Sequence, residues 1–164
     1  MRFERVEYSG RAHIGMTVGE LQNAGVPEPA ILAAATVAIA RIAEAEIDKL
    51  GDILSVSSSR SARYTDKLAE AKAYIAANRP ANPAAGLYPI LSAEAAARSI
   101  TKSALADMIV LRGAAFTQLM ALAEAQRAKV GIATASAATI DAKKAAAEAE
   151  ILVFRTAVYA ALAG

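Results

Sequence analysis

From Ala43 onward, apolar and small residues recur in alternating steps of four and three: Ala43, Ile47, Leu50, Leu54, Ser57, Ser61, Tyr64, Leu68, Ala71 and Ile75. A repeat of 3.5 residues keeps one stripe of a helix facing a partner as the two supercoil, so this spacing predicts a coiled-coil seam. Leu32, Thr36 and Ile39 join the seam upstream through one irregular step near Ala43. At SVSSSRS, residues 55–61, the seam turns polar; serine weakens burial and offers an N-cap to a new helix. The heptad phase nevertheless passes through the serines unchanged, which favours one continuous rod over a break near Ser58.

The rod is introduced by GVPEP, whose prolines are tolerated only before or within a first helical turn. It ends at ANRPANPAAGLYP, where Pro80 and Pro83 remove backbone donors and Gly86 accepts positive φ. Ser92 then reads as the cap of a two-turn helix and Thr101 as the cap of a longer one carrying Leu105, Met108, Ile109, Phe116, Leu119 and Leu122 on one face. Gly131 and the run GIATASAAT mark a break or weakened turn. A last helix places Ile140, Ala147, Ile151, Phe154, Val158 and Leu162 at helical spacing. The break at 80–91 redirects the chain, grouping Tyr74, Ile75 and Tyr88 near the tip of a helical hairpin.

The first residues differ from the rest. RFERVEY carries Phe3, Val6 and Tyr8 among charges and reads as a short, partly extended docking arm. RAHIGMTVGELQNAG holds three glycines and favours loop, except that Thr17 and Glu20 match a capping box for a short helix ending near Gly25. The expected layout is therefore an arm at 1–27, a long coiled-coil helix at 28–79, a Pro-rich turn at 80–91 and a helical return segment at 92–164. The fold class is all-α: a long helical hairpin or coiled-coil bundle with a short irregular amino-terminal arm.

Composition sharpens this picture. About a quarter of the 164 residues are alanine and only 5% are aromatic, so helices form readily while a deep core is hard to fill. Helix laid closely along helix, within one chain or between copies, is the expected solution. Eighteen basic and 16 acidic residues leave a net charge of +2, too little for a field that attracts nucleic acid or an acidic membrane. The longest apolar run, Ala30 to Ala40, falls short of the ~20 residues that span a bilayer, and the amino terminus has no apolar signal core. A soluble chain without membrane insertion is expected.

Candidate chemistry is sparse. The absence of cysteine excludes disulfides and thiolate metal sites, and His13 is the single histidine, so no di-iron bundle or zinc site is expected. Glu44, Glu46 and Asp48, like Glu148 and Glu150, stand two apart and project to different sides of a helix, as solvated faces do. No phosphate-cradling glycine loop or nucleophile elbow occurs. Arg60 and Arg63 flank Tyr64, and Lys143 adjoins Lys144, yet acids are interspersed throughout; Tyr64 and Tyr74 read as seam or core rather than as stacking platforms. No catalytic residue and no cofactor is expected, although an enzymatic or ligand-binding helical bundle is the reading from another class.

The stretches YTDKLAEAKAYIAA, YPILSAEA, SITKSALADMIV and AEAQRAKVGIATASAATIDA resemble an alanine-rich helical module of bacteriophage tail-fibre and tail-associated proteins. The resembling positions are Tyr64, Glu70, Ala71, Tyr74, Tyr88, Pro89, Glu94, Ala95, Thr101, Ala104, Ile109, Arg127 and Lys129, spread over about the last hundred residues. The family often has glycine before the capping threonine and tryptophan in the next helix, where this chain has Ile100 and Phe116. The resemblance implies a structural role without catalytic residues, in a virion tail assembled in the host cytoplasm. It also implies a homo-oligomer, by analogy a trimer, held by the seam residues Ala43, Ile47, Leu50, Leu54, Tyr64, Leu68, Ala71 and Ile75. Phe3, Val6 and Tyr8 would dock the arm on other phage tail proteins. An assembly chaperone left out of the finished virion is the alternative within this class.

Overall fold

In the computed structural model, which describes residues 1–54, 58–84 and 86–163, the amino-terminal segment is a β-hairpin and not an irregular arm. Strand β1 (Arg2–Tyr8) pairs antiparallel with β2 (Arg11–Thr17), Tyr8 opposite Arg11 and Arg2 opposite Thr17. Ser9 and Gly10 make the two-residue turn with φ of 50° and 77°, the doubly left-handed geometry whose twist matches the flanking strands. Phe3 and Val6 are both buried although a period of two would put them on opposite faces. The pairing is interrupted between Phe3–Met16 and Arg5–Ile14, where Gly15 takes a φ of 67°.

Six helices follow among the described residues, and 75% of the chain is helical, so the fold is mostly α with one small sheet. They are α1 (Val18–Asn23), α2 (Glu28–Leu54), α3 (Ser58–Ala76), α4 (Pro89–Arg98), α5 (Lys102–Ser136) and α6 (Ile140–Ala163). The expected capping box opens α1: Thr17 Oγ1 accepts from the Glu20 amide while the Glu20 carboxylate accepts from the Thr17 amide at 2.7 Å. Those bonds, the backbone one foremost, hold the Glu20 carboxyl below its usual range. Thr101 and Thr139 cap α5 and α6 through the amides of Ala104 and Ala142.

Two boundaries differ from expectation. Helix α4 begins at Pro89, inside the expected turn and three residues before Ser92, because proline at the first helical position gives up only a donor that is orphaned anyway. Helix α5 runs through Gly131 to Ser136: one glycine costs only about 1 kcal/mol, less than the flanking packed turns return. The end of α3 comes as expected, before Pro80, with Asn78 and Arg79 left-handed and the Arg79 amide donating back to the Tyr74 carbonyl. Helix α5 is also long and apolar enough to cross a membrane by length and composition. Its Asp107, gripped by Arg79, and its buried Leu105 and Ile109 are features of a helix packed within a protein.

The chain forms two compact units, residues 1–50 with 122–164, and residues 51–121. In the first, α2 buries Ile31, Ala35, Ile39, Ala43, Ile47 and Leu50. The steps are four, four, four, four and three, so Ile31 and Ala35, not Leu32 and Thr36, carry the upstream face. Repeated steps of four follow the surface ridges used when helices cross in globular packing. Phe3, Val6, Leu21 and Val26 are buried in the same unit, as are Ala123 and Val130 of α5 and Ala147, Ile151, Phe154 and Val158 of α6. Leu162, expected on that last face, is 52% exposed.

The second unit is built round Ala71, Tyr74, Tyr88, Leu91, Ala95, Leu105, Ala106 and Ile109, with Leu68, Ile75, Ile100 and Val110 packed against them. Tyr74 and Tyr88 meet edge to face, ring centres 5.3 Å apart, as their grouping at the chain reversal led one to expect. Buried Gly113 lets Leu68 come so close that a Cβ there would lie 2.9 Å from a Leu68 methyl. Met108, expected on the inner face of α5, is 37% exposed.

Candidate functional site

All the positions of the resemblance except Arg127 and Lys129 fall in the second unit. Helix α4 has no side-chain cap of its own, since Tyr88 stands at its N-cap. Glu70 of α3 supplies one across the gap: its carboxylate accepts from the Leu91 amide at 2.6 Å and the Ile90 amide at 3.3 Å. An anion on the first free amides of a helix satisfies orphan donors and meets the positive end of the helix dipole. Tyr64 donates from its hydroxyl to the Ile109 carbonyl at 3.2 Å, and burial pushes its phenol pKa up.

Two ion-pair groups tie the same helices together. Arg79, just past α3, forks onto Asp107 with two bonds of 2.8 Å and donates to Ser103 Oγ at 2.7 Å. The Asp107 carboxylate raises the Arg79 pKa further. Glu94 of α4 receives Lys67 of α3 on one oxygen and Arg98, one turn on, on the other. Burial alone raises the Glu94 carboxyl, but Lys67 and then Arg98 outweigh it and hold the group below the usual carboxylate range. The hollow beside this group, reached by Tyr64 and Arg112, has a volume of ≈ 20 Å³, room for about one water and no substrate. Asp107 and Glu94 are each held by cations, Arg79 on the first and Lys67 with Arg98 on the second, and the arrangement clamps helices.

In the first unit the acidic positions of α2 are struts. Glu46 pairs with Arg155 of α6 at 3.2 Å, and Asp48 pairs with Arg127 of α5, which also holds Glu124. Lys143 is 3% exposed, and its ammonium donates to the Thr134 carbonyl in the last turns of α5 at 2.5 Å. A cation there meets unsatisfied carbonyls and the negative helix end, which explains a buried lysine and removes it from any phosphate-binding surface. Only its place one turn before Ala147, on the stripe that continues to Ile151 and Phe154, marks this role in the sequence. Gln126 of α5 is 1% exposed and its Oε1 has no partner among the described residues.

The expected seam is split by the structure. Ala43, Ile47 and Leu50 are buried in the first unit and Ala71 in the second, while Tyr64, Leu68 and Ile75 are half-buried in the second. The side chain of Leu54, the serines of the seam, Arg60, and the choice between one rod and two helices lie outside the described residues. Of the expected docking residues, Phe3 is 2% and Val6 4% exposed, packed inward with their own unit; Tyr8, at 40%, remains on the surface. An open hollow of ≈ 250 Å³ lies at the hairpin tip, beside Arg5, Tyr8 and Arg11. His13 is half-buried on β2, and among the described residues no three potential metal ligands gather.

Several large apolar side chains remain open to solvent. Val37 and Ile42 on α2, Leu111 and Ile132 on α5, and Leu152, Val153 and Tyr159 on α6 are all about half exposed or more. Compared with known proteins, the chain matches no family model, no curated sequence and no solved structure.

Proposed function

We propose that the chain is a structural connector that self-associates through its long helices, and that it serves at the periphery of a bacteriophage tail, in the fibre or baseplate. The observation that carries self-association is the second apolar face of α6: Leu152, Val153 and Tyr159 are 57%, 49% and 55% exposed while Ile151, Phe154 and Val158 on the other side are buried. A helix apolar on two sides has one side left to give to a neighbour. Mechanically, charge-clamped helices resist shear better than apolar contact alone, because each fork fixes register as well as separation.

The phage setting rests on the resemblance, whose residues Glu70, Tyr74, Tyr88 and Glu94 make the clamp in the second unit. Its implied copy number of three belongs to the proposal. Surface docking on other tail proteins falls to Tyr8 and the hairpin tip, since Phe3 and Val6 are committed inward. The test is mass spectrometry of purified virions together with the mass of the isolated chain in solution. Stoichiometric presence in the particle and an oligomeric mass are expected. Presence in the lysate but not in the particle would make the protein an assembly chaperone instead, and a monomer at every concentration would end the connector reading.

A further inference from the structure

We propose that α6 pairs antiparallel with α6 of a second copy, in one register, across a two-fold axis between Glu150 and Ile151. The proposal rests on the self-associating reading above and sets a defined pair in place of the copy number of three that the resemblance implies.

The outer face of α6 repeats in strict steps of three and four: Ala142, Ala145, Ala149, Leu152, Thr156, Tyr159 and Ala163, every one of them exposed and none charged. This is a second heptad seam, distinct from the buried one through Ala147, Ile151, Phe154 and Val158. Set antiparallel, the seam forms layers of Ala142 on Tyr159, Ala145 on Thr156 and Ala149 on Leu152, each occurring twice. Every layer joins an alanine to a larger side chain, which fills space evenly. A parallel pair would instead stack alanine on alanine and tyrosine on tyrosine, leaving holes in some layers and crowding in others.

The flanking charges choose the same arrangement. In the antiparallel register Glu148 of one copy lies opposite Arg155 of the other, twice, while Ala146 faces Val153 on the opposite flank. Sliding one helix by a heptad one way brings Arg155 against Arg155, a like-charge penalty. Sliding it the other way opposes Asp141 to Arg155 but also Glu148 to Glu148, stacks Ala145 on Ala149 and leaves Thr156 and Tyr159 opposite residues that precede α6, so packing penalises that slip. A parallel pair sets Glu148 beside Val153 and gains no ion pair. Arg155 is suited to a shared role, since it uses one nitrogen on Glu46 within its own chain and its side chain is 43% exposed. The arrangement is isologous and closed, so it makes pairs and not open filaments.

The chain contains no cysteine, which makes directed cross-linking clean. In the full-length variant Ala145→Cys with Thr156→Cys, both positions exposed, mild oxidation is expected to give a dimer whose peptide map joins Cys at 145 to Cys at 156 of the second copy. In this pairing two 145 positions lie about 16 Å apart along the axis, beyond the ~7 Å that a disulfide spans between Cα atoms. Links of 145 to 145 or 156 to 156 as the main product would overturn the antiparallel pair. Sedimentation of the unmodified chain should give twice the chain mass, and Leu152→Lys, with an unchanged circular dichroism spectrum, should give the chain mass at the same concentration. A threefold mass, or a Leu152→Lys chain still paired, overturns this interface but leaves a homo-oligomeric connector standing; a monomer throughout removes both.

Discussion

Glu70 caps a helix to which it does not belong, and removing it should loosen that helix more than the rest of the chain. Its carboxylate takes the amides at the second and third positions of α4, Ile90 and Leu91. In Glu70→Ala both donors lose the anion. The Ile90 site is exposed and water replaces the bond, so little is lost there. The Leu91 amide is partly buried under a side chain that is 1% exposed, and its 2.6 Å bond is charge-assisted. Such a bond contributes about 1.5–3 kcal/mol, and an N-cap deletion costs about 0.5–2 kcal/mol; together these set about 2 kcal/mol for Glu70→Ala. Glu70→Gln keeps one carbonyl acceptor without the charge and should cost about half as much. Native-state hydrogen exchange is the assay, because it reads α4 separately. Exchange of the Leu91 and Ser92 amides should accelerate about 30-fold in Glu70→Ala, the factor equivalent to 2 kcal/mol. Unchanged protection at Leu91, or equal losses in the Ala and Gln variants, would refute the cross-helix cap.

Three further outcomes are expected. Phe3→Ala should lower the stability of the first unit by about 3 kcal/mol in urea unfolding, as for a buried aromatic; no change would restore the hairpin to a free docking arm. Lys143→Ala should cost about 2–3 kcal/mol by removing a buried charge-assisted bond to the Thr134 carbonyl, and Lys143→Met, which keeps the aliphatic stem, should cost less; a Lys143→Met chain as stable as the unsubstituted one would mean the ammonium contributes nothing. Glu94, whose folded-state pKa lies below the unfolded value, takes up its proton more readily in the unfolded chain. Its stabilisation is thus fully present above the usual carboxylate range and is lost as the pH falls through the lowered folded value. Urea midpoints measured down an acid series should fall less steeply for Glu94→Gln than for the unsubstituted chain, and parallel curves would exclude this contribution.

Helix starts were legible because they depend on neighbours in the chain: Thr17 with Glu20, and Thr101 with the amide of Ala104, act over three residues. Glu70 and Lys143 were not, because each completes a helix end 20 and 9 residues away, and residue type alone does not say which end a charge will reach. The hairpin escaped notice for a related reason. Ser9-Gly10 is a turn signal, but Phe3 and Val6 stand three apart, a spacing that a strand period of two does not mark as one buried face.

Periodicity had the subtlest limit. It detects an apolar stripe without saying what covers it: the stripe from Ala43 to Leu50 is buried by the chain itself, whereas the one from Ala142 to Ala163 on α6 stays open. Both stripes carry alanine, so each admits a close neighbour; the difference lies in tertiary placement, which sets the chain's own helices against one and leaves the other to solvent. In a chain this rich in alanine, burying a helix on one side returns little apolar area per residue, about 25 cal/mol for each Å². The second side is therefore where further stability is available, and the Glu148 and Arg155 that flank it confine that gain to a partner presenting the same face in reverse.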